Sequence, residues 1–384
     1  MEQPGTQTED QASLWQFVPP EDRQVPSPEI EQRVRTGITD LWKKIRPKRA
    51  SETPEPTDWE PLPASRRRRW APPPDWPDAL PALRRAIESG SQPVMLVTPP
   101  YSGTAALVDA WGEQDSRRRR ITPPTHRQIL EGAEEWMSGL QAGDSPWVLP
   151  RLQRCYLRHI DGLQLVRDFL DRWTDGRLGR GLVGCDRWAW NYLRHVWTGR
   201  MPRLLTLQSF DAERIARWFR SLSNIDDRPT SFRLADTGRE VLEPPQADEE
   251  DRQADDEHRQ ESGFLRNLAA HSRGIPGVAL SLWRRSFVEA PSRESPSEEV
   301  DENVVWVRPW NRMDLPTLPE DAAGDEALIL HALLLHAGCP VEILAEILPM
   351  NARRIRGTLS SLDEHGVAGA ASKTWRVAAA GYPA

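Results

Sequence analysis

Cysteine is scarce in this chain of 384 residues: Cys155, Cys185 and Cys339 are odd in number, far apart and outside any CxxC pair. That pattern excludes a disulfide framework and a thiolate zinc site, and a reducing cytoplasm is the expected compartment. Long hydrophobic runs are missing as well. The most apolar window, EALILHALLLHAG, is interrupted by His331 and His336 and is too short to cross a bilayer. The N-terminal stretch MEQPGTQTEDQASLWQF has no basic segment followed by an apolar core, so no secretory signal is expected. Net positive charge is absent too, with 50 basic against 57 acidic residues and a balance of -7. Any contact with nucleic acid or an anionic membrane therefore has to be local. A hydrophobic content of only 38% together with 35 prolines leaves a good part of the chain outside a packed core. No serine elbow, HExxH motif or paired-carboxylate constellation appears.

What is present falls into five stretches. Residues 1–74 are rich in Pro, Glu, Arg and Ser and read as a disordered tail. Within it, SPEIEQRVRTGITDLWKKIRPKR predicts a basic amphipathic helix at about 28–46, with Ile30, Val34, Ile38, Leu41 and Ile45 on one stripe. Such a helix suits an anionic lipid surface or a partner's groove. Over 75–210, short apolar strands (PVMLV, WVL, GLVGCD, RLLTL) alternate with amphipathic helices, which predicts an α/β domain of three layers with a parallel sheet. Residues 211–304 read as a helical lid, interrupted at 243–261 by a loop with nine acidic residues and two arginines. A linker over 305–320 leads to 321–384, where three short helices and a fold-back hairpin make a winged helix-turn-helix pattern.

The stretch PVMLVTPPYSGTAALV has the build of a phosphate-binding loop. Such a loop needs glycines, a lysine for the β and γ phosphates and a Ser/Thr hydroxyl for magnesium. With Gly103 on the last glycine of GxxxxGK[ST], Thr98 falls on the first glycine, Thr104 on the lysine and Ala105 on the hydroxyl. The order of elements from Asp75 to Pro383 resembles that of AAA+ and STAND-type P-loop ATPases. The resemblance implies an αβα P-loop NTPase-like core, a helical lid and a winged-helix module. It also implies a Walker B pair of acids after WVL, where Pro150 and Arg151 stand, and a lid arginine where Gly277 stands. Asp186, ending GLVGCD, matches the polar residue that closes the family's next core strand.

On this reading the chain is a non-hydrolysing, catalytically degenerate member that works as a regulator or scaffold. A protein partner is expected, with the 28–46 helix offering a membrane surface as a further contact. ATP or ADP is the one cofactor left open, because a helix N-terminus still offers N–H groups to an anion. The residues expected around it are Pro99, Pro100, Tyr101, Ser102, Gly103, Thr104, Ala105 and Asp186. An alternative is a nucleotide-binding switch with little turnover. Another is DNA binding through Arg353, Arg354 and Arg356 on the third helix and Lys373 and Arg376 on the wing. Against DNA, residues 320–384 carry eight acidic and five basic side chains. Cys155 and His159 lie four apart, with Asp161 following, and are read as packing before chemistry. Trp188, Trp190, Trp218 and Trp283 are likewise expected in the core.

Overall fold

The computed structural model describes residues 14–26, 59–90, 92–132, 134–140, 145–223, 230–242, 263–290, 303–319 and 324–383. The helix expected at 28–46 and the acidic loop expected at 243–261 lie outside these residues. The fold is mixed α/β around a six-stranded sheet. In chain order the first elements are β1 (Phe17–Val18), α1 (Ala64–Trp70), α2 (Leu80–Glu88), β2 (Val94–Thr98) and α3 (Thr104–Glu113). There follow β3 (Arg119–Arg120), α4 (His126–Leu130), α5 (Glu134–Ser138), β4 (Trp147–Leu149) and α6 (Gln164–Thr174). The core is completed by β5 (Gly181–Asp186), α7 (Arg187–Val196) and β6 (Arg203–Leu207).

The strand order is β1-β6-β2-β5-β4-β3, parallel throughout except for β1, which pairs antiparallel with β6. Parallel neighbours need crossover connections, and the intervening helices supply them. All five residues of β2 are buried, as a central strand covered on both faces requires. Its side chains alternate: Val94 and Leu96 enter one apolar cluster, Met95 and Val97 the other. Each cluster is roofed by helices, so the predicted three layers are present.

Two segments expected in the tail are built into the fold. Phe17 pairs with Leu207, and Trp15, 5% exposed, packs between Trp76 and Phe210 at 5.4 and 5.3 Å. Residues 59–71 run beside the lid and contribute Leu62, Ala71 and helix α1. A few large apolar side chains in a proline-rich setting suffice to anchor them, and the composition of the stretch hides this.

The lid also differs from the expectation of helices alone. Around α8 (Ala212–Ser223), α9 (Phe264–His271) and α10 (Pro276–Arg285) lies a small sheet of β7 (Ser231–Leu234), β8 (Phe287–Val288) and β9 (Val304–Val307), ordered β7-β9-β8. Phe232, Phe287, Val305 and Val307 are buried there against Trp283. The predicted linker at 305–320 thus starts inside β9. The chain closes with α11 (Gly324–Leu335), α12 (Val341–Ile347), α13 (Ala352–Glu364) and a hairpin of β10 (Ala368–Ala371) and β11 (Thr374–Val377). This unit has its own apolar centre, including Ile329, Leu344, Ile355 and Leu359. Trp190, Trp218 and Trp283 are buried as expected, whereas Trp188 is 40% exposed.

Because Trp15 joins the edge of the sheet to the lid-side core, Trp15→Ala is expected to cost about 3–5 kcal/mol of unfolding free energy. Urea denaturation measures it, and a loss below about 1 kcal/mol would detach residues 14–26 from the core.

Candidate functional site

The loop Pro99–Gly103 sits at the C-terminal end of β2, beside β5 in the middle of the sheet. Open parallel sheets place ligand crevices at this end of their strands. Two residues turn the chain there with positive φ, Tyr101 at 67° and Gly103 at 77°. Glycine is demanded at 103 for a second reason: a Cβ there would lie 2.1 Å from the ring of Trp76. Thr104 opens α3, and its hydroxyl bonds the hydroxyl of Thr98, which also donates to the Pro99 carbonyl. Pro99, Pro100, Ser102 and Thr104 are buried, while Tyr101, Gly103 and Ala105 are partly exposed.

Groups from three other parts of the chain meet this loop. The Gly277 N–H of the lid donates to the Tyr101 carbonyl at 2.9 Å, and a Cβ at Gly277 would sit 2.4 Å from that oxygen. The Tyr101 phenol donates to the Val377 carbonyl of the hairpin. Its ring packs edge-on against Tyr382 at 5.8 Å, and Tyr382 in turn accepts from the Trp188 indole at 3.0 Å. Burial, with Asp186 and Tyr382 nearby, pushes the Tyr101 phenol well above its usual range, so it stays a donor.

What remains open is a cavity of about 280 Å³ lined by Tyr101, Thr104, Arg151, Gln153, Asp186 and Arg376, among others. Register places Asp186 directly opposite Thr98. The Gln153 amide donates to Asp186 Oδ2 at 3.1 Å and its Oε1 accepts from the Asp186 N–H at 3.4 Å. Burial raises the Asp186 carboxyl from 3.8 to about 7; Arg151, Arg154 and the Gln153 bond pull the other way. Of the residues expected to act together, the structure gathers the loop and Asp186, and it adds Arg376 from the hairpin.

The remaining basic residues do not join that group. Arg353 and Arg356 are exposed on α13, Arg354 is tied to Asp325, and Lys373 is exposed between β10 and β11. Cys155 and His159 form no pair. They do not share a helix, Cys155 is fully buried with its thiol pushed upward by desolvation, and His159 lies 3.7 Å from Asp161. Sequence reading missed Trp76, Val377 and Tyr382, which touch the loop, and Gln153, which bonds Asp186; no local pattern marks any of them.

No family model matches the chain, and no curated protein sequence does. Among solved structures, variant forms of RuvB from Thermotoga maritima are similar over 77% of this chain and 88% of theirs. The identities are 13–14% and the TM-scores 0.30–0.32. A likeness at that level carries no argument about what the chain does. No described helix is long and apolar enough to cross a membrane, and no cluster of metal-ligating side chains occurs among the described residues.

A second buried titratable group directly follows α11, in the turn that meets the core. His336 is 1% exposed, accepts from the Arg158 N–H at 3.4 Å and leans on Tyr156 at 5.0 Å. Burial lowers its pKa from 6.5 to about 3. The two groups pull stability in opposite directions. Asp186 holds its proton more tightly folded than unfolded, so its contribution is full at low pH and is lost as pH rises from about 4 through 7. His336 is held neutral, so its contribution is full above about 6.5 and is lost as pH falls towards 3. Asp186→Asn is therefore expected to raise the melting temperature more above pH 7 than at pH 5, the gain growing between about pH 4 and 7, while His336 acts alike in both proteins. Thermal melts across pH 5–8 check this, and a gain independent of pH would remove the assignment to Asp186.

Proposed function

We propose that this chain is a non-hydrolysing AAA+/STAND-like regulatory or scaffold protein, in which a pseudo-P-loop serves as a joint between core, lid and a C-terminal winged helix. The observation that carries the reading is the occupation of the loop by the chain's own groups: Gly277, Val377 and Trp76 all bear on Pro99–Gly103. The Tyr101 carbonyl and phenol are committed here to holding modules together.

The side chains present also fail to fit magnesium-ATP. Triphosphate needs an ammonium and a metal-bound hydroxyl. The aligned positions hold Thr104, whose hydroxyl is used by Thr98, and Ala105. Strand β4 is followed by Pro150 and Arg151, so no carboxylate stands there to hold magnesium. The cavity of about 280 Å³ lies at the bottom of the roughly 300–1,000 Å³ range of ligand pockets. The three helices and hairpin that close the chain support the winged-helix reading, and their docking on the core favours a protein-contact role.

The nearest competing reading is a nucleotide-binding switch without turnover, supported by the first residues of α3, Thr104, Ala105 and Ala106, lining the cavity. DNA binding through Arg353 and Arg356 rests on their exposure alone. A protein partner in the cytoplasm, with a membrane contact through residues 28–46, completes the proposal; those residues lie outside the described structure.

Titration of the full chain with magnesium-ATP is expected to give no heat in the micromolar range and no steady phosphate release. Micromolar binding would move the reading to the switch, and turnover would overturn it. Gly277→Arg, which puts an arginine back in the lid position, is expected to destabilise the fold by about 1–3 kcal/mol through collision with Tyr101. Tolerance of that change in a thermal melt would mean that lid and loop are not locked together.

A further inference from the structure

Segment 59–71 is laid along the edge of the lid sheet. The Leu62 N–H donates to the Phe287 carbonyl at 3.0 Å, the Glu289 N–H donates to the Glu60 carbonyl at 2.8 Å, and Pro61 bridges Val288 in antiparallel sense. This delivers α1, with sequence ASRRRRW, to the end of α10 and the start of β8. Four consecutive arginines on a helix point about 100° apart, so no single packed face can absorb them all. Arg66, Arg68 and Arg69 are exposed.

Among the described residues, the surroundings of Arg66, Arg67 and Arg68 carry more positive than negative charge. Residues 59–71, 284–289 and 308 together hold seven arginines and two glutamates, in a chain whose overall charge is -7. Arg66 uses Glu289 at 3.2 Å from both carboxylate oxygens. Arg284 donates through Nε to the Ala71 carbonyl at 2.7 Å, yet its Nη2 is buried without a hydrogen-bond partner. Arg67 Nε and Arg308 Nε are buried and unpartnered as well. Burial lowers the Arg284 pKa, and Arg68, close enough for the two guanidinium charges to repel, adds to that. Like charges drawn together by the fold, with unmatched donors between them, are suited to an anion with several acceptor oxygens.

Arginine narrows the choice of anion. Its planar fork matches phosphate oxygens two at a time, and every basic residue of this patch is arginine. A lipid surface would also require apolar side chains to insert. The exposed large hydrophobics among the described residues are Val25, Ile160, Trp188, Met201, Leu318 and Leu328, and none belongs to this patch. We propose that this face docks the phosphate backbone of nucleic acid through Arg66, Arg68 and Arg284, without reading base sequence. The site is separate from the loop at Pro99 and from the basic residues of α13.

The test is fluorescence anisotropy of a labelled, mixed-sequence 20-bp duplex with the full chain. Three phosphate contacts imply a salt slope near -2.7, hence ~40-fold weaker binding at 200 mM than at 50 mM salt. At 50 mM salt, Arg66→Glu with Arg68→Glu is expected to weaken binding at least tenfold, Arg66→Lys with Arg68→Lys only a few-fold, and Arg353→Ala with Arg356→Ala not at all. If the charge reversal lowers the melting temperature, Arg68→Gln alone decides, with a several-fold loss expected. No binding at 50 mM salt, or binding that survives the Arg68 change, would overturn the proposal. Equal competition by polyglutamate would reassign the face to an acidic protein, and tighter binding to phosphatidylserine vesicles would reassign it to a membrane; either result also overturns it.

Discussion

Tyr101, one of four non-glycine residues at positive φ among the described residues, sits where core, lid and C-terminal hairpin meet. Tyr101 is strained by of order 1 kcal/mol or more in that conformation, which persists only where the surroundings over-determine it. Here they do so from three sides: the lid supplies an N–H to its carbonyl, the hairpin supplies a carbonyl to its hydroxyl, and Tyr382 covers its ring. Glycine is required at 103 and 277 because both partners approach closer than a Cβ allows. The loop conformation and the arrangement of modules are therefore one constraint.

The rest of the joint is built in the same polar manner. Helix α11 ends against the core, where its last carbonyls lack partners within the helix. Tyr156 donates to the Leu335 carbonyl at 3.1 Å and Arg154 to the Ala337 carbonyl at 3.1 Å. The apolar centres of core and C-terminal unit stay distinct, with Ile343 and Ile347 packed on both. Interfaces bonded to backbone carbonyls in this way resemble the contacts of separable domains. That makes the loop a place where a partner gripping the lid or the hairpin would be felt.

How much of this was legible beforehand depends on the range of the signal. The buried run of β2, the turn at Gly103 and the end of β5 at Asp186 are local patterns, and each was read at its place. The alternation of strands and helices likewise gave the layers. Strands of two to four residues, such as β1, β7, β8 and β9, are too short for a period-2 pattern to register. The pairing of Phe17 with Leu207 and the approach of Val377 to Tyr101 link residues far apart in the chain, which no window of sequence contains. The bonds that reach Tyr101 from Gly277 and Val377 are of this second kind.

The two arginine runs show why charge patterns need neighbours before they mean anything. Arg117 to Arg120 looks like a basic patch in sequence, yet each member has an assigned contact. Arg117 pairs with Asp115 at 3.0 Å, and Arg118 lies 4.1 Å over the Trp111 ring. Arg119 donates to the Gly139 carbonyl at 2.7 Å, and Arg120 is paired with Asp109. Arg66 to Arg68 are carried to the lid edge beside Arg284 and Arg308, where, among the described residues, backbone carbonyls and one engaged glutamate leave buried donors of Arg67, Arg284 and Arg308 unmatched. Because carbonyl bonds orient a guanidinium without neutralising it, the positive field there survives folding, while at the first run much of it is cancelled.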